Sequence, residues 1–157
     1  MKKSATTLFK IMRIALGWIF LWAFLDKLIG LGFSSCRTAE GAIESFCQSA
    51  WLSGGSPTAG FLSFATKGPF AGFFQSLAGS AALDWIFMLG LLFIGLSLIL
   101  NIKTKLGAYA GVLLLLLMYS AALPPEHNPV IDEHIIYALV LLYIGAKSKR
   151  FSASQPF

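Results

Sequence analysis

The chain has 157 residues, 57% of them hydrophobic and only 12% charged, with a formal net charge of +5 and two cysteines. A soluble domain of this size carries about twice that charge, so composition excludes an ordinary water-soluble domain and points to lipid as the solvent. The basic balance does not signal nucleic acid, because Lys and Arg gather near helix ends rather than along one face. The length allows one domain, 1–157, of about four membrane crossings, and no linker or repeat divides it.

The first expected crossing covers residues 14–33. Its run, MKKSATTLFKIMRIALGWIFLWAFLD, imitates a secretory signal, and FSSC resembles a lipoprotein box with Phe33 where a small aliphatic residue belongs. Asp26-Lys27 interrupts the apolar stretch and no A-x-A site follows, so a retained helix is expected. Asp26 lies about 18 Å along that helix at 1.5 Å per residue, which makes it and Lys27 the most deeply placed charges. Charges in lipid are costly and turn toward a bundle or a partner. As neighbours the two differ by about 100° around the helix. Lys27 shares a face with Ala23, Phe24 and Leu31; Asp26 shares one with Trp22 and Gly30. Two readings follow. Lys27 snorkels outward while Asp26 anchors packing, or both belong to a polar pocket near the outer surface.

Residues 34–80 form a long outer segment. Cys36 and Cys47, eleven positions apart, are placed to pair in an oxidising compartment, as a structural disulfide or as a redox-active pair. Further on, Phe61, Phe64, Phe70, Phe73, Phe74 and Leu77 recur at spacings of three and four, and Gly68-Pro69 restarts a helix with Pro at its first position. Pieces so short cannot cross a bilayer. They lie in the interface as an anchor or dip inward as a re-entrant lid.

The second and third crossings are expected at 82–100 and 106–123, joined by a short turn from Asn101 to Lys105 as an antiparallel hairpin. Gly90 and Gly95 in one, and Gly107 and Gly111 in the other, mark surfaces where backbones can approach, here for bundle packing rather than dimerisation.

The fourth crossing is expected at 129–146. Ile135–Ala146 alone spans only about 18 Å, so the helix must take in residues 129–134 to cross. Asn128 suits an N-cap and Pro129 the first helical position, and carboxylates at Asp132 and Glu133 suit the helix dipole. None of this accounts for His134. Glu133 shares a face with Tyr137, and His134 one with Ala138 and Leu141. A His titrating near neutrality beside carboxylates suits proton handling at a quinone.

With the N-terminus inside, the inner side holds Lys2, Lys3, Lys10, Arg13, Lys103, Lys105, Lys147, Lys149 and Arg150, against Arg37 and Lys67 outside. That asymmetry places both termini in the cytoplasm and the chain in the plasma membrane. His127 and His134, the only histidines, sit at one end, so no haem or metal is expected. Phosphate-binding loops and nucleophile motifs are absent.

RIALGWIFLWAFLDKLIG, AGFLSFATKGPFAGFFQSLAG and NPVIDEHIIYALVLLYIGA together resemble the DoxX/DoxD family of small four-helix membrane proteins, the last of which serves as the membrane subunit of a thiosulfate:quinone oxidoreductase. The likeness runs from Arg13 to Ala146. It implies an all-α four-helix fold and a place in quinone-linked redox metabolism. Arg13, Gly17, Asp26 and Lys27 match the family pattern in the first helix, as do Asn128, Pro129, Asp132 and His134 in the fourth.

The expected function is therefore a membrane subunit of a quinone-coupled oxidoreductase, acting on thiosulfate or another sulfur compound. Asp26, Lys27, Asp132, Glu133 and His134 are the candidate catalytic groups. Trp85, Tyr137, Phe70 and Phe73 would hold the quinone, and Arg37 and Lys67 would meet an anion. Electrons would arrive from a sulfur donor or a partner, by way of Cys36 and Cys47. Thiosulfate itself raises an objection: Glu40, Glu44, Glu126, Asp132 and Glu133, with Asp26 and Asp84 nearby, make the outer side acidic. Either a partner subunit supplies the anion site, or the substrate is not thiosulfate; a partner subunit or a homo-oligomer is expected. The rival reading is a non-catalytic scaffold, or a protein that binds lipid or another hydrophobic molecule. A transporter is a weaker third, since four helices lack the paired broken helices of such folds.

Overall fold

A computed structural model describes residues 2–38, 40–125, 128 and 130–152. The architecture is all-helical, 69% helix with no strand among the described residues. Four long helices, α1 (Lys2–Ile29), α3 (Ala81–Leu100), α4 (Thr104–Ala121) and α5 (Glu133–Ser152), pack in a ring, with the short helix α2 (Ala71–Gln75) in the segment over one end. In this ring α1 lies against α3, α3 against α4 and α4 against α5, and a thinner α1–α5 contact closes it.

Three of these helices, over Ala5–Ile29, Ala81–Leu100 and Thr104–Ala121, are long and apolar enough to cross a membrane among the described residues. Their outward faces carry large apolar side chains, among them Trp18, Ile86, Leu89 and Leu113. Water penalises such a surface and hydrocarbon does not. Helix α5 shows the same outward character at Ile136, Leu139 and Leu142.

The helix limits differ from those expected. The first helix ends at Ile29, not 33, because Gly30 takes a left-handed φ of 73° and donates its N–H to the Asp26 carbonyl, as a C-terminal glycine does. It also runs back to Lys2, since nothing before Ile14 breaks helical geometry. The last helix begins at Glu133. Asn128 does not cap it: its Oδ1 accepts the N–H groups of Val130 and Ile131 in a local turn. Asp132 is the cap, its Oδ1 accepting the Ile135 N–H at 3.2 Å. Pro129, Glu126 and His127 lie outside the described residues.

Small residues set the helix crossings. A Cβ on Gly17 would lie 2.8 Å from Ile99 Cγ1, and one on Gly95 would lie 2.9 Å from the Leu21 backbone nitrogen, so α1 and α3 meet backbone to backbone. Gly107 packs on Ser97, and Gly111 on Leu141 and Ile94, within this one chain. Buried Arg13 closes the same junction by donating to the Leu98 and Ile99 carbonyls, which α3 leaves unpaired at its end. The turn between α3 and α4 is tight, with Asn101 and Lys103 both left-handed.

Candidate functional site: a capped apolar cavity

Residues 30–80 are bound to the bundle at several points. Buried Asp26 of α1 accepts hydrogen bonds from the backbone N–H groups of Phe33 at 3.0 Å and Ser34 at 2.9 Å, and from the Ser34 hydroxyl. Buried Asp84 of α3 accepts the Thr58 hydroxyl at 2.6 Å, the Thr58 N–H at 3.2 Å and the Ser56 hydroxyl at 2.9 Å. The Lys67 N–H donates to the Ala121 carbonyl of α4, and Gly68 passes so close to the Leu123 carbonyl that no side chain fits. Trp51 packs edge-on against Trp85 with ring centroids 4.6 Å apart. Cys36 and Cys47 form a disulfide, their Cα atoms 5.6 Å apart.

Beneath this cover lies a cavity of about 510 Å³. All four long helices contribute to it, chiefly with Phe20, Ala23, Phe87, Leu91, Leu115 and Met118, and the cover adds Phe61, Phe73, Phe74 and Leu77. The polar groups in its wall are few: Lys27 from α1, Thr58 from the cover, and Glu133, His134 and Tyr137 from α5. The Lys27 ammonium donates to the Ser34 hydroxyl at 2.9 Å and lies 6.0 Å from the centre of the Phe87 ring.

The sequence candidates thus divide. Lys27, Glu133, His134, Tyr137 and Phe73 meet in one cavity. Asp26 lies outside its wall, its carboxylate occupied by the loop at 33–34. Asp132 is also outside the wall but acts on a group within it: its Oδ2 lies 2.8 Å from His134 Nδ1. That bond orients the imidazole and leaves Nε2 as the nitrogen open to another partner. Burial works against the Asp132 charge, yet the hydrogen bonds from His134 and the Ile135 N–H hold its carboxyl below the usual carboxylate range. Oxygen and nitrogen atoms of Asp132, Glu133 and His134 all come within 4.8 Å of one another, though Asp132 and His134 already satisfy each other.

Trp85 is 57% exposed and turned to Trp51, and Phe70 points outward at 51% exposure, so neither reaches the cavity. Phe64 is the most outward of the Phe series. Arg37 donates Nε to the Gly32 carbonyl at 2.7 Å and pairs with Ile43 in an isolated bridge, while Lys67 serves the cover through its backbone. Asp84 and Thr58 were missed as a pair by sequence reasoning. A lone Asp in the first turn of an apolar helix looks like a dipole partner, and its loop partner is 26 residues distant.

No protein family, curated protein or solved structure matches the chain.

Proposed function

We propose that the chain is the quinone-binding membrane subunit of a quinone-coupled oxidoreductase of the DoxX/DoxD kind. The observation that supports it is the single cavity with apolar walls in which Lys27 of the first helix and His134 and Tyr137 of the last come together. A volume of about 510 Å³ falls in the range that holds a drug-sized ligand. Aromatic and aliphatic walls suit a flat apolar ring, and the Lys27 ammonium, the Tyr137 hydroxyl and His134 Nε2 are the groups able to hydrogen-bond its carbonyl oxygens. A bound quinone takes up two electrons and two protons. His134, held by Asp132, exchanges protons at Nε2, and exposed Glu133 connects it to water. Electrons come from a sulfur compound or from a partner subunit.

In this reading α5 is the fourth crossing and both termini face the cytoplasm, with the cover on the opposite side as a re-entrant cap. The apolar outward face of α5 supports the crossing, and the cationic ends of α4 and α5 at Lys105 and Lys147 support the orientation.

The test is donor-dependent quinol formation by purified protein, set beside His134→Ala and Lys27→Met, together with solvent extraction of copurified quinone. We expect quinone in the extract and at least a tenfold loss of turnover in His134→Ala. Wild-type rates in both variants remove the site. The nearly apolar wall also favours a second reading, a carrier or binder of lipid, and copurified lipid without quinone or turnover selects it.

A further inference from the structure

The cavity has a fixed roof and an incomplete side wall. The roof is held by Asp26, by Asp84, by the Lys67–Ala121 backbone bond and by the disulfide, so it is stapled to α1, α3 and α4 at once. The wall is different along the seam between α3 and α4. At the uncapped end that seam is tight: Ser97 meets Gly107, and a Cβ on Gly111 would lie 3.3 Å from Ile94 Cγ2. One turn nearer the cap, Gly90 occupies the same stripe of α3, and a Cβ there would meet no atom within 4 Å. The antiparallel register that sets Ile94 against Gly111 brings Gly90 level with Leu114. From that level to the cap, Phe87 and Leu83 of α3 and Leu114 and Leu117 of α4 line the cavity. Leu117, on the rim, is 48% exposed.

We infer that the α3–α4 seam between Gly90 and Leu117 is a lateral portal, through which an amphiphile enters from the bilayer and along which its apolar tail leaves the protein. The inference rests on the cavity being a ligand site, as proposed above. The cavity holds a head and a short length of chain, whereas a tail matched to one leaflet runs for about 15 Å, half the hydrocarbon thickness. The remainder must lie outside, and an apolar rim that opens sideways into hydrocarbon accommodates it with no unpaired polar group. The ligand class follows: a membrane-resident molecule with a small hydrogen-bond-accepting head for Lys27 and His134, and one unbranched or isoprenoid tail. A tail-free analogue fills only the head site.

The full-length protein in lipid nanodiscs, loaded with a decyl-substituted benzoquinone, tests this. Release into excess empty vesicles is followed by extraction and chromatography. Gly90→Phe fills open space, so it should keep the quinone and slow release about tenfold, while Leu139→Trp, on the outward face of α5 and away from the cavity wall, should leave release unchanged. The tail-free benzoquinone should be released at rates insensitive to Gly90→Phe. Leu117→Trp, on the opposite rim, reads the same portal should Gly90→Phe fail to fold or to load. Wild-type release rates in both rim variants overturn the portal, as does release that accelerates on reducing the disulfide but ignores the rim, which makes the roof the door. A wild-type protein that takes up no quinone overturns the binding reading and this one with it.

Discussion

Asp26 on α1 and Asp84 on α3 grip one segment from beneath, the first at Phe33 and Ser34, the second at Ser56 and Thr58. Both carboxylates are buried at 1% and 6% exposure, and each answers several donors. A carboxylate can accept more than two hydrogen bonds, which makes it an efficient tie for a loop whose N–H groups have no helix to serve them. The cover is thereby positioned by two residues that never enter the cavity.

Asp84→Ala should orphan the Ser56 and Thr58 donors at a cost of roughly 1–3 kcal/mol. We expect a lower melting temperature in detergent and new protease cuts between residues 54 and 70, with the helices intact by circular dichroism. A melting curve and digestion pattern like those of the unmodified protein would remove Asp84 as a tie.

Breaking the Cys36–Cys47 bond should cost about 2–4 kcal/mol, the range for a native disulfide. Reductant should lower the melting temperature of the wild type and leave the Cys36→Ser/Cys47→Ser double variant unmoved. Equal sensitivity in both would mean that reductant acts elsewhere.

Gly95 and Gly90 lie five residues apart on α3 yet should respond in opposite ways. Gly95→Ala forces a methyl against the Leu21 backbone, which cannot swing aside; overpacking of that kind costs about 1–3 kcal/mol. Gly90→Ala meets open space and gains up to about 1 kcal/mol of helix propensity. Thermal unfolding of the two variants decides it, and equal destabilisation would contradict the close α1–α3 approach.

Asp132 supplies a pH dependence whose direction can be worked out. Its carboxyl titrates lower in the fold than in the unfolded chain. Its stabilising contribution is therefore complete above the ordinary carboxylate range, about pH 4, and is lost as pH falls through the lowered native value. Asp132→Asn keeps a good helix cap but removes the charge, so it should flatten the acid limb of stability below about pH 5 and lower stability at pH 7 by what the ionised carboxylate contributed there. Asp132→Ala should also lose about 0.5–2 kcal/mol of capping. An acid limb that survives in Asp132→Asn assigns it to another group.

Much of the fold was legible in the residues alone. Apolar runs of membrane length, the Asn101–Lys105 turn and the Gly68-Pro69 restart each follow from local chemistry, and each has its counterpart in a helix or turn at nearly the expected place. The helix ends were less legible. Gly30 stops α1 by its backbone conformation, and the choice between Asn128 and Asp132 as the cap depends on which carboxyl or amide oxygen reaches the right N–H. Both are plausible caps by residue type.

By itself the sequence determined the solvent of this protein, its helical class and the set of residues able to do polar work near one end, because these depend on composition and on periodicity along a single helix. Tertiary structure alone decided how that set divides. It turned Lys27, His134 and Tyr137 into one cavity, gave Asp26 and Asp84 to the cover, and turned Trp85 and Phe70 away. The reason is physical: a buried carboxylate goes wherever unpaired donors are densest, and those donors come from loop residues brought alongside only when the helices pack.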